Sequence, residues 1–171
     1  IDALGYLQLC EAMDACADLV LHRLAEAGTL VPITSTFPST TNTVLSTLWT
    51  GRCPAEHGVL AYELYLRELG VAASTLFFWP IHHRRRDELA EWGVEPKTFL
   101  PVPSLAEQLS AQGILTRAFI RKAYTDSILS QIHNRGVREV IPFVSAGDVW
   151  TGARRIIEEH PLDKMLLTVY W

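Results

Sequence analysis

Between residues 104 and 170 apolar runs alternate with amphipathic ones, and this alternation constrains the fold more than any other feature. Ser104, followed three residues later by Glu107, is a capping box, and Gly113 ends the helix it opens. Residues 114–120 read as a strand, 126–133 as a helix stopped by Asn134 and Gly136, and 137–144 as a second strand. Ser145 caps a further helix whose Val149, Trp150, Ala153, Ile156 and Ile157 form a wide apolar stripe. Residues 165–170 are a near-continuous apolar strand. The pattern predicts an α/β fold: a mostly parallel sheet with helices on both faces. Ligands bind such sheets beyond the carboxyl ends of the strands.

The N-terminal half is less regular. Residues 6–27 are largely helical, with Leu19, Val20 and Leu24 on one face, and Gly28 ends the segment. Residues 30–33 read as a short strand leading into a run of hydroxyls, Ser35, Thr36, Ser39, Thr40, Thr41 and Thr43. Pro38 and Ser39 read as loop and cap of a helix whose Leu45, Leu48 and Trp49 make a buried stripe; Gly51 and Pro54 stop it. A hydroxyl in the first turn of a helix sits beside unpaired backbone N–H groups and the positive end of the dipole, which suits an oxyanion. The plain alternative is an inert Ser/Thr cap. Residues 59–69 suggest a strand or hairpin, and 72–79 a buried strand. The stretch 80–103 carries Pro80, Pro96, Pro101 and Pro103 and reads as an irregular loop or lid. Within it, His82, His83, Arg84, Arg85 and Arg86 read as a solvated run, with phosphate attraction by Arg as the alternative.

At 171 residues the chain is long enough for one sizeable core, and 49% hydrophobic with 20% charged residues is a globular composition. A net charge of -4 speaks against a dedicated nucleic-acid binder. No run reaches the length of a membrane-spanning helix. Cys10, Cys16 and Cys53 are odd in number and match no zinc spacing, so nothing demands an oxidising compartment and the cytoplasm is slightly favoured. No G-x-S-x-G elbow, Walker loop, G-x-G-x-x-G or H-E-x-x-H occurs.

The segment from Pro38, Ser39, Thr40 and Thr41 through Thr50 and Gly51 to Pro54, Ala55, Glu56, His57 and Gly58 resembles the nucleophile region of the type I phosphodiesterase/nucleotide pyrophosphatase family, in the alkaline phosphatase superfamily. Asp2 in Ile1, Asp2, Ala3, Leu4, Gly5 resembles the metal-binding Asp at the end of that family's first strand. Residues 62–68, 145–148 and 166–171 resemble bacterial members. Ala3 and Val44 depart from the family pattern, which carries Gly and Asn there.

The resemblance implies an alkaline phosphatase-like sheet truncated at both ends, so that residues 1–171 read as a single partial catalytic domain. It implies a metal-dependent phosphoric-ester hydrolase with Thr41 as nucleophile, and the backbone N–H of Asn42 as a contact for a phosphoryl oxygen. Asp2 and Thr41 would bind one of two divalent ions, zinc by resemblance, with the second-site ligands absent from this chain. His57 is given a turn-forming role. The expected partner is a small phosphorylated substrate, not a nucleic-acid polymer. A phosphomonoesterase or phosphotransferase of the same superfamily, or a non-catalytic binding module, are the alternatives; a sulfatase lacks its modified Cys or Ser motif here. The 171 residues alone are expected to be inactive.

Overall fold

The computed structural model describes residues 1–171, which separate into two units, Ile1–Ser35 and Thr36–Trp171. The first unit holds helices α1 (Tyr6–Ala15) and α2 (Val20–Ala27). The expected single helical segment is broken at residues 16–19. There Leu19 N–H donates to the Cys16 carbonyl (3.2 Å) and His22 N–H to the Leu19 carbonyl (3.0 Å). The His22 ring nitrogen Nε2 lies 2.9 Å from the Met13 carbonyl and ties the turn together. Val20 and Leu24 are exposed rather than packed. Two sequence expectations fail in this unit. Residues 30–33 form no strand; Pro32 removes a ladder donor in the middle of the run. No strand ends at Asp2 either. Asp2 and Ala3 form a turn in which Ala3 N–H donates to Asp2 Oδ1 at 2.8 Å.

The second unit opens with α3 (Thr41–Thr50) and α4 (Pro54–His57). Thr40, not Ser39, is the N-cap residue of α3, with extended backbone. Gly51 closes the helix at φ 69°, its N–H bonded to the Thr47 carbonyl, a left-handed position that glycine adopts without cost. A hairpin follows: β1 (Glu63–Leu66) pairs antiparallel with β2 (Val71–Ser74), Glu63 opposite Ser74 and Leu66 opposite Val71. The expected strand over 72–79 is interrupted after Ser74. Only its last residue returns to the sheet, in the two-residue β3 (Trp79–Pro80) beside β2. The Pro-rich stretch then contains two short helices, α5 (Glu88–Glu91) and α6 (Pro96–Phe99).

The alternating segment folds largely as its pattern predicts. Helix α7 (Leu105–Ser110) leads to β4 (Leu115–Arg121), α8 (Ile128–His133) to β5 (Glu139–Phe143), and α9 (Ala146–Glu159) to β6 (Met165–Val169). The sheet order is β5-β4-β6, with both pairs parallel; Phe119 stands opposite Ile141 on one side and Val169 on the other. Ser104 and Ser145 each make the full capping box, with Glu107 and Asp148. The two backbone N–H groups that Asp148 accepts, from Ser145 and Val144, hold its carboxyl below the usual range.

Two apolar clusters hold this unit. Val59, Ala73, Phe78, Leu89, Leu100, Ile128 and Ile132 form one, with Phe78 edge-on to Phe99. Phe119, Phe143, Val149 and Ile156 form the other and join α9 to the parallel sheet. A Cβ on Gly152 would come within 2.9 Å of the Phe119 ring, so glycine there permits the close approach of α9. The apolar stripe of α9 is narrower than its sequence suggests, since Trp150 and Ile157 are exposed.

A candidate nucleophile at the start of helix α3

Thr41 is the first residue of α3, and the first intrahelical bond runs from Val44 N–H to the Thr40 carbonyl at 2.9 Å. The N–H groups of Thr41, Asn42 and Thr43 therefore precede the helical ladder and collect at its positive end. Thr41 Oγ1 lies 2.9 Å from the Tyr62 hydroxyl, and Thr41 N–H donates to the same hydroxyl at 3.4 Å. The two residues are brought together by the hairpin, because Tyr62 immediately precedes β1.

The buried side of α3 is polar. Leu45, Leu48 and Trp49 are not the buried stripe: Leu48 is 58% exposed, while Asn42, Thr43, Ser46 and Thr50 are buried. Each of these has a partner that periodicity of apolar residues does not reveal. Asn42 Nδ2 donates to Thr75 Oγ1, and Thr43 Oγ1 lies 2.8 Å from Thr40 Oγ1. Ser46 Oγ lies 3.1 Å from His133 Nε2, and Thr50 Oγ1 donates to the Ser46 carbonyl. The opposite oxygen of the buried Asn42 amide, Oδ1, has no partner.

His57 occupies the end of α4 and is buried. Its Nδ1 accepts from Val59 N–H at 3.1 Å, and its Nε2 lies 3.0 Å from Thr47 Oγ1. It thus fixes the turn at Gly58, whose φ is 78°, against α3. Burial pushes both imidazoles toward neutrality: His57 lies below its ordinary value, and His133 is taken down to about 3 by burial with the neighbouring His57 adding to it.

Thr41 lies on the wall of a cavity of about 320 Å³. Leu45, Trp49, Phe77 and Tyr124 give it an apolar lining, and Arg86 supplies a cation, with its guanidinium 5.5 Å from the Phe77 ring centre. The basic run therefore divides by function of place. His83 pairs with the buried Glu88 at 2.9 Å and Arg85 with Glu91, whereas Arg86 faces the cavity. The sequence reads this run as solvated, with phosphate attraction by Arg as the alternative, and Arg86 is the member of it that lines the cavity; no motif connects Tyr62 with Thr41.

Asp2 belongs to the first unit and Thr41 to the second. No group of three or more His, Cys, Asp or Glu side chains is placed to hold a metal ion. The hydrogen-bond neighbour of Thr41 Oγ1 is the Tyr62 hydroxyl. The donors within these residues do not by themselves fit a two-metal centre. The three cysteines are free thiols.

A profile of the type I phosphodiesterase / nucleotide pyrophosphatase family matches residues 9–96, just over half of the chain. Asp2 lies before the matched segment, and Thr41, His57 and Tyr62 lie inside it. Among solved structures, the chain is similar to phosphonoacetate hydrolase from Sinorhizobium meliloti 1021 in complex with phosphonoformate. That match has a TM-score of 0.65 at 20% identity and covers 98% of this chain and 44% of that one. The same enzyme in complex with phosphonoacetate matches with a TM-score of 0.61 at 19% identity, covering 94% and 42%. The chain thus spans less than half the length of the solved structures it matches, and the likeness is one of fold. No curated protein matches the chain. The family profile runs through α3, α4 and the hairpin that meets them, and the chain belongs to the type I phosphodiesterase/nucleotide pyrophosphatase family.

Proposed function

We propose that this chain is part of a phosphoester hydrolase in which Thr41 is the nucleophile. One observation carries the reading: Thr41 stands at the first turn of α3, on the wall of a cavity. An anionic phosphoryl group there meets the ladder-free N–H groups, that of Asn42 among them, and the positive helix end. In the reaction Thr41 Oγ1 forms a bond to phosphorus while the bond to the leaving oxygen breaks. The leaving oxygen takes that bond's electron pair, and the Thr41 proton passes to water. A second water then forms a bond to phosphorus while the P–Oγ1 bond breaks, its electron pair going to Oγ1, and a proton from that water restores the Thr41 hydroxyl. The Asn42 N–H holds a phosphoryl oxygen through both steps, and Arg86 gives the cavity a counter-charge for an anionic substrate.

The reading includes two divalent metal ions, zinc by family resemblance, as a requirement of the intact enzyme. By the same resemblance, Asp2 and the Thr41 hydroxyl are the donors this chain offers toward them. Since the donors within residues 1–171 do not complete a centre, no step above runs through a metal, and these residues alone are expected to give no turnover. The substrate class is a small phosphorylated molecule rather than a nucleic-acid polymer.

The test uses the intact protein, supplied with zinc, on bis(p-nitrophenyl) phosphate, p-nitrophenyl phosphate and phosphonoacetate. These separate a phosphodiesterase from a phosphomonoesterase and from a phosphonate hydrolase such as the structural neighbour. Acid quenching during turnover should leave phosphate on Thr41, read by peptide mass spectrometry, and Thr41→Ala should abolish hydrolysis. Full turnover by Thr41→Ala sinks the assignment. Absence of turnover on all three compounds favours the binding-module alternative.

A further inference from the structure

We infer that Tyr62 is a catalytic residue of this site, a hydrogen-bond donor to the attacking oxygen of Thr41. The inference rests on the nucleophile reading above and adds a second reacting-centre group to it. Its hydroxyl touches the reacting atom: Oγ1 of Thr41 is 2.9 Å away, and the Thr41 N–H points to the same phenol oxygen at 3.4 Å. Either hydroxyl can donate across the 2.9 Å contact; the Thr41 N–H donated into the phenol oxygen favours the arrangement in which the phenol proton is directed at Oγ1.

The phenol is held there by the residue that follows the nucleophile. Asn42, buried, donates through Nδ2 to Thr75 Oγ1. Thr75 Oγ1 donates in turn to the carbonyls of Ala61 (3.0 Å) and Tyr62 (3.2 Å), and Thr75 N–H donates to the Tyr62 carbonyl at 2.7 Å. Thr41 thus meets the tip of Tyr62 while Asn42, through Thr75, fixes its backbone. The anchor is buried, yet Tyr62 itself is 40% exposed, which leaves the hydroxyl open to an incoming ester.

The chemistry follows from hydrogen bonding. The phenol has one O–H to donate, and Oγ1 has lone pairs to receive it. A hydrogen bond to the charged form of a group favours that form. As the Thr41 proton passes to water and Oγ1 closes on phosphorus, the Tyr62 O–H stabilises the negative charge on Oγ1. The leaving oxygen departs with the electron pair of its bond, and Tyr62 begins and ends the step protonated.

The experiment compares the intact wild-type protein with Tyr62→Phe, Thr41→Ala and a protein carrying 4-aminophenylalanine at 62, using bis(p-nitrophenyl) phosphate. Loss of one such donor is expected to lower kcat by roughly 100-fold, with KM changed by no more than about twofold. The aniline N–H keeps a donor at the same place and should recover roughly 10-fold or more of that loss. A purely structural tyrosine would show no such split between kcat and KM. If Tyr62→Phe melts below the wild type, the 4-aminophenylalanine protein, which keeps ring and donor, decides alone: a kcat as much as about 100-fold below the wild type overturns the inference. Tyr62→Phe turning over within about threefold of the wild type, while Thr41→Ala is inactive, overturns it and leaves the nucleophile in place. Turnover by Thr41→Ala removes the nucleophile reading and this inference with it.

Discussion

His133 Nε2 lies 3.1 Å from Ser46 Oγ, with both side chains buried between α8 and α3. Burial takes His133 down to about 3, so the folded protein holds a neutral imidazole where the unfolded chain, near 6.5, takes up a proton. The unfolded state then binds more protons between those values, and stability falls as pH falls through that window, by up to about 1.4 kcal/mol per pH unit. His57, shifted in the same direction by burial, acts with the same sign. Urea unfolding of the intact protein at pH 7, 6 and 5 should show a midpoint that drops with pH. The slope should shrink in His133→Gln. A flat midpoint in the wild type would count against a neutral, buried His133.

Thr41→Ser separates the hydroxyl from its placement. Serine keeps the nucleophilic oxygen but lacks the branched methyl that limits χ1. Turnover should survive, lowered roughly 10- to 100-fold by loss of orientation, whereas Thr41→Ala should have none. Steady-state rates on the same aryl diester check both.

Asn42 and Thr75 form a buried pair, and their energies should not add. Asn42→Ala removes the donor to Thr75 Oγ1 and should cost about 1–3 kcal/mol. Thr75→Val, which also releases the Ala61 carbonyl while the backbone N–H keeps the Tyr62 carbonyl, should cost a similar amount. The double variant should fall short of the sum by about 1 kcal/mol, measured as a double-mutant cycle in denaturant. Strict additivity would place the two residues in separate interactions.

Arg135 clamps the proline-rich stretch. Its Nε donates to Glu107 Oε2 at 3.0 Å, Nη1 to the carbonyls of Lys97 and Leu100, and Nη2 to the carbonyl of Val102. Arg135→Met should destabilise by about 2–4 kcal/mol, since three carbonyls and a carboxylate lose one donor group. Lysine cannot reproduce the fork, so Arg135→Lys should recover less than half of that loss. Limited trypsin digestion should cut after Lys97 faster in both variants than in the wild type.

The sequence made some of this legible because certain residues act locally. Ser104 with Glu107 and Ser145 with Asp148 set their helix starts within four residues of chain; β5 and β6 fall within the apolar runs read for them, and β4 runs one residue past its own, to Arg121. Thr41 in a first turn was equally local. Other features depended on partners far along the chain. The buried side of α3 is polar because Thr75, His57 and His133 wait to receive it, from 33, 10 and 87 residues away. Leu48 looked like core and is exposed for the same reason. Residues 30–33 have the composition of a strand but no ladder to join. Tyr62 reaches Thr41 across 21 residues through a hairpin whose closure no motif announces. Arg86 sits in a run of five basic residues, and only the fold distinguishes it from Arg85.

The polar underside of α3 has a consequence for the angle at which Thr41 is presented. Apolar contacts are non-directional, so a helix seated on leucines and valines can turn about its axis with little penalty. Hydroxyls and an amide facing fixed imidazoles and a threonine act like the wards of a key. Slipping the helix by one residue rotates it by about 100° and breaks those bonds at once. Replacing Asn42, Ser46 and their partners by well-packed apolar residues would hold the helix in place along its axis while leaving its rotation, and with it the bearing of the Thr41 hydroxyl, undefined.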